Sequence, residues 1–125
     1  MGLYLENVTA AVIGAAMQVH SRLGPGLLER IYQLCLLQNL RRAGFKVDIE
    51  VAVPIVYDDL VLDGGLRLDM LVENDVVVEL KAVEMLTRLH HAQLLSYLRL
   101  ANKPVGLLIN FNVRNLRDGI RRIMN

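Results

Sequence analysis

Apolar positions along this chain switch between a helical period and a strand period. Val8, Ala11, Val12, Ala15, Ala16 and Val19 recur at helical spacing and predict a helix from Asn7 to Arg22, capped by Asn7 or Thr9. Gly24-Pro25-Gly26 breaks it, and a second helix is expected from Leu27 to Ala43, with Gly44 as its stop. Val47, Ile49, Val51 and Val53 then alternate with Lys46, Asp48, Glu50 and Ala52, a half-buried strand in which Pro54 marks an edge position or a bulge. Asp58-Asp59 reads as a turn and Gly64-Gly65 as a loop or bulge, so three consecutive antiparallel strands are expected over 46–57, 60–72 and 76–83. Thr87 is a good cap for a helix running to Leu100. The near-continuous apolar run Val105 to Phe111 predicts a strand buried on both faces, parallel to a neighbour and joined by a right-handed crossover. Ile120 to Met124 alternates and predicts an edge strand. The class is α/β: an antiparallel three-strand meander plus a parallel strand after a crossover helix, flanked by helices.

The last two meander strands hold most of the chemistry. Leu66 to Val72 and Val76 to Lys81 flank the polar turn Glu73-Asn74-Asp75. Strict alternation puts Arg67, Asp69 and Leu71 on one face, and Val77, Glu79 and Lys81 on one face of the partner. If Val72 pairs with Val76, Asp69 lies opposite Glu79 and Arg67 opposite Lys81; a one-residue slip would part the carboxylates. Opposed carboxylates in an apolar sheet repel and are poorly solvated, and a divalent cation relieves both penalties. Mg²⁺ takes such hard oxygen ligands, and Lys81 would bring an ammonium to the same place. The same face also fits a polar surface of salt bridges among Arg67, Asp69, Glu79 and Lys81.

Composition narrows the setting. A chain of 125 residues is read as one domain, 1–125. Its 54% apolar content suits a buried sheet or a subunit interface, so self-association into a homodimer is expected. No apolar run is long enough for a bilayer, no signal peptide is evident, and the single cysteine, Cys35, reads as a buried structural thiol, which points to the cytoplasm. A formal net charge of +1 means that any footprint for nucleic acid must be local, and Arg41-Arg42 with Arg114, Arg117, Arg121 and Arg122 are the visible clusters.

Asp69 followed ten residues on by Glu79-Leu80-Lys81 resembles the D…(D/E)xK core of the PD-(D/E)XK nuclease superfamily. Gln93-Leu94-Leu95-Ser96-Tyr97 is similar to the QxxxY motif of its lambda-exonuclease and RecB-like branches. Gly26-Leu27-Leu28-Glu29-Arg30-Ile31-Tyr32 resembles GxxExxY, the pattern that names a bacterial and archaeal family within it, and Asn110-Phe111-Asn112 resembles that family's closing segment. The likeness runs from about Ile13 to Met124. Leu68 stands where the superfamily's nominal Pro precedes the Asp, and Gln18 where an acidic residue is expected.

The resemblance implies a restriction-endonuclease-like core and a Mg²⁺-dependent nuclease, with Mn²⁺ as a substitute, acting on DNA in preference to RNA. It implies Asp69, Glu79, the Leu80 carbonyl and Glu29 around the metal, and Lys81 orienting the attacking water. Gln93 and Tyr97 would support Lys81 or a substrate phosphate. Tyr32 would be the packing or hydrogen-bonding companion of Glu29, and Arg67 a supporting residue. Apart from the family, Glu29 reads as an exposed first-turn glutamate favoured by the helix dipole, and Gln93 and Tyr97 as the polar face of an amphipathic helix. His20 reads as solvated or capping, with a place near the site as the alternative, and His90 and His91 stay outside the metal site. The competing function is a catalytically silent nuclease-fold module that binds nucleic acid or a protein partner.

Overall fold

A computed structural model describes residues 2–125. Helices α1 (Gly2–Leu23) and α2 (Glu29–Arg42) precede strands β1 (Val47–Tyr57), β2 (Leu60–Val72) and β3 (Val76–Lys81). Helix α3 (Arg88–Ala101), strand β4 (Val105–Asn110), a 3₁₀ turn (Leu116–Gly119) and strand β5 (Ile120–Met124) follow. The strands form one five-stranded sheet in the order β1-β2-β3-β4-β5. Only β3 and β4 are parallel, as a crossover through α3 requires; the other neighbours are antiparallel.

The apolar pattern explains the layers. Leu5, Val8, Val12, Ala16 and Val19 of α1 and Tyr32, Leu36 and Leu40 of α2 cover one face of the sheet, against Val76, Val78, Leu80, Leu107 and Ile109. Leu94 and Leu98 of α3 cover the other, against Leu66, Leu68, Leu71, Val77, Leu108 and Ile123. Strands β3 and β4 are therefore buried on both sides, which is why they read as unbroken apolar runs. Gly106 lets α3 approach closely, since a Cβ there would lie 3.0 Å from Leu94.

Helix α1 starts five residues before Asn7, because Leu5 extends the same stripe. Neither Asn7 nor Thr9 is its cap: buried Thr9 donates its hydroxyl back to the Glu6 carbonyl inside the helix. Helix α2 ends as expected. Gly44, at φ 92°, donates to Arg41 and Phe45 donates to Leu40, the two bonds of a Schellman stop. The register of β1 on β2 shifts between Val53 and Ile55, where Pro54 and the Gly64-Gly65 pair lie. Thr87 caps α3 and shares a reciprocal bond pair with His90, which places that histidine in a structural role. No helix among the described residues is long and apolar enough to cross a membrane.

Candidate active site

The β2–β3 hairpin adopts the register its turn predicts, with Val72 facing Val76, Leu71 facing Val77 and Met70 facing Val78. The ladder ends there, and side chains take over. Asp69 donates its backbone N–H to Glu79 Oε1 at 3.1 Å, and Leu80 donates its own to Asp69 Oδ2 at 2.9 Å. Each carboxylate thus holds the backbone of the opposing strand, and the two acids face each other where the strands part.

Arg67 does not follow the expected alternation. It pairs with Ala52 of β1 and is exposed, rather than lying opposite Lys81. Leu66, Leu68 and Leu71 pack toward α3, whereas Met70 and Val72 pack toward α1 and α2, so the strand changes faces across Asp69. Strand β1 does the same at Glu50: Ile49 joins one cluster, and Val51, Val53 and Ile55 join the other. Glu50 has φ 52°, in the left-handed region that non-glycine residues rarely adopt, and this twist breaks the period of two. Arg67, Asp69 and Leu71 consequently do not share a face.

Glu79 is 4% exposed. Burial, then the neighbouring Asp69 charge, pushes its carboxyl up to about 8, and the Asp69 N–H and Lys81 only partly oppose this. Lys81 Nζ is 3.3 Å from Gln93 Oε1 on α3. Tyr97, one turn further along, is raised by burial and then by the charges of Glu79 and Asp69, while a hydrogen bond with Gln93 acts in the opposite direction. Glu29, in the first turn of α2, is raised by burial; Lys81 opposes the shift and Asp69 adds to it. The structure therefore gathers Asp69, Glu79, Lys81, Gln93, Tyr97 and Glu29 into one electrostatic neighbourhood. A cavity of about 220 Å³ is lined by Glu29, Arg30, Gln33, Glu50, Asp69 and Leu80.

Among the described residues no three His, Cys, Asp or Glu side chains come together as a ready metal cage. Asp69 and Glu79 nevertheless supply two hard carboxylate donors at one point, one of them buried and disfavoured as a bare anion. That suits Mg²⁺, which binds through one or two carboxylates and keeps waters in its remaining positions.

Tyr32 acts at one remove. Its hydroxyl donates to the Gly24 carbonyl at 2.6 Å and accepts from the Leu27 N–H at 3.1 Å, so it braces the turn before Glu29 rather than bonding to Glu29. Its ring stacks on Phe111 with centroids 4.4 Å apart, and Phe111 donates its N–H to the Lys81 carbonyl at 2.9 Å. His20 is not solvated. It is 8% exposed, and its Nε2 lies 2.7 Å from the Val113 carbonyl, bracing the segment after β4. That segment borders a larger groove of about 480 Å³ lined by His20, Ser21, Arg114 and Arg117 among others.

Gln33 carried no signal in the sequence. It is 4% exposed and donates Nε2 to the Asp69 carbonyl at 2.9 Å and to Glu50 Oε1 at 3.0 Å. Asn110, also buried, bonds to both the N–H and the carbonyl of Val83, holding the chain just after Lys81.

A mixed sheet between two helical layers, with paired acids and a lysine where two strands separate, defines an α/β fold of the nuclease type. Residues 6–123 match the family model of the PD-(D/E)XK nuclease superfamily, and the chain belongs to that superfamily. Neither a curated protein nor a solved structure matches it.

Proposed function

We propose that residues 1–125 form a single nuclease domain that hydrolyses nucleic-acid phosphodiester bonds with Mg²⁺, Mn²⁺ serving as a substitute, and DNA rather than RNA as substrate. Within the superfamily the reading follows the GxxExxY group and the lambda-exonuclease and RecB-like branches, on Gly26, Glu29 and Tyr32 and on Gln93 and Tyr97. The observation that carries it is the crossed bonding of the two strands, Asp69 N–H to the Glu79 carboxylate and Leu80 N–H to the Asp69 carboxylate, with Lys81 next in sequence to Leu80.

Asp69, Glu79, the Leu80 carbonyl and Glu29 would hold the ion. When bound it supplies charge compensation for the phosphate and acidifies a water. Lys81 orients that water and offsets phosphate charge. Gln93 restrains the ammonium through its Oε1, and Tyr97 extends the same helix face beside it. Arg67 is exposed and pairs with Ala52 on the β1–β2 ribbon, so no role in this centre is proposed for it. The local basic footprint is assigned to Arg114 and Arg117, which border the groove after β4. The exposed apolar end of that ribbon, with Val56, Tyr57 and Val61, is the surface on which a homodimer would form; sedimentation of the wild type and of Tyr57→Glu at several concentrations tests it.

The test is cleavage of labelled duplex, single-stranded and branched DNA and of RNA, with Mg²⁺ or with chelator, beside Asp69→Asn and Lys81→Met. Mg²⁺-dependent cleavage lost in both variants supports the reading. Binding without cleavage under every condition assigns the silent module instead.

A further inference from the structure

Asp69 and Glu50 oppose each other between the paired positions Ile49–Met70 and Val51–Leu68, yet they form no ladder pair. Asp69 instead donates its N–H to Glu79, and its carbonyl accepts from Gln33 Nε2. The residue whose carboxylate must point across the strand gap is thus held by side chains on both backbone groups.

Gln33 is suited to this by chemistry. Its Oε1 accepts from Arg30 at 2.7 Å, while Nε2 donates to Glu50 and to the Asp69 carbonyl. A guanidinium can only donate, and a carboxylate and a carbonyl can only accept, so the amide has one orientation. Arg30 also lies 3.8 Å from Glu50, closing a triangle around the amide. The left-handed backbone at Glu50 is a local cost that the structure retains where its side chain meets this triangle.

We propose that Gln33, aimed by Arg30 and Glu50, is a positioning residue that holds the Asp69 backbone so that the carboxylate reaches the Leu80 N–H and faces Glu79. The proposal deepens the nuclease reading, on which the purpose of that alignment rests. Asp69 set this way presents its carboxylate beside Glu79 before any ion arrives, so the alignment costs nothing at the moment of binding.

Two measurements test it. In metal-free protein, amide exchange at Leu80 is compared with Leu107, a core β4 residue. Gln33→Met keeps the side-chain length and removes the bonds; Leu80 exchange is expected to rise about tenfold while Leu107 stays near wild type. Mn²⁺ titrated calorimetrically into the same variant is expected to bind about tenfold more weakly, as metal sites do when an outer partner is removed. Glu50→Ala, at an exposed position, is expected to shift both in the same direction by less, and it decides the matter if Gln33→Met fails to fold. Unchanged Leu80 exchange in the folded variants overturns the proposal. Wild-type protein that binds no Mn²⁺ overturns the nuclease reading, and the exchange comparison still decides the role of Gln33.

Discussion

Asp69 gives its backbone N–H to Glu79 Oε1 at 3.1 Å, so the site's two acids are tied together by the main chain of one and the side chain of the other. The bond tolerates a neutral Glu79, and burial beside the Asp69 charge favours that form up to about pH 8.

Stability of the metal-free protein should therefore fall as pH rises. The folded value lies above the ordinary 4.5, so folding takes up a proton between 4.5 and about 8. This contribution is full below the lower value and is lost as pH climbs through the upper one, at up to about 1.4 kcal/mol per pH unit. Urea denaturation at pH 5, 6.5 and 8 should show the decline, and Glu79→Gln should flatten it. On the metal reading, Mg²⁺ should raise the melting temperature more at pH 8 than at pH 6, because the carboxyl must lose its proton to bind.

Lys81→Met should reduce cleavage by on the order of 10²–10³-fold, the usual effect of removing one stabilising group from the charge-developing centre. Its Mn²⁺ affinity should change little, because Lys81 holds no metal. A parallel collapse of Mn²⁺ binding would show that the lysine shapes the acid pair rather than assisting the reaction.

Arg114→Ala with Arg117→Ala should weaken nucleic-acid binding across all sequences and lower the salt slope by about 1 for each phosphate that is no longer neutralised. Fluorescence anisotropy at several salt concentrations measures the slope directly. An unchanged slope would move the footprint to another face.

Tyr32→Phe should cost about 1–3 kcal/mol, since the Gly24 carbonyl and Leu27 N–H lose their shared hydroxyl in a buried setting. The urea midpoint should shift with an unchanged slope.

The hairpin register and the parallel strand after the crossover helix were legible because alternation, turn residues and a twice-buried apolar run all agreed. The face change at Glu50 and Asp69 was not legible. A non-glycine residue with φ 52° leaves no mark in composition, and strict alternation carried Arg67 to a place it does not occupy. Gln33 was invisible for another reason: it reads as ordinary helix filler, and one of its partners is a backbone carbonyl 36 residues away. His20 sits at the margin of its helix's apolar stripe, so periodicity could not say that the Val113 carbonyl buries it. Asp69, Glu79 and Lys81 stood out by type and spacing, whereas the groups that hold them are defined only by tertiary packing.

The polar groups of the centre come from α2, β2, β3 and α3, from Glu29 at one extreme to Tyr97 at the other. The centre is complete only once all four elements have come together across these long sequence separations. On the nuclease reading, a nascent or half-assembled chain would lack the centre altogether, and cleavage would arrive only with the finished molecule.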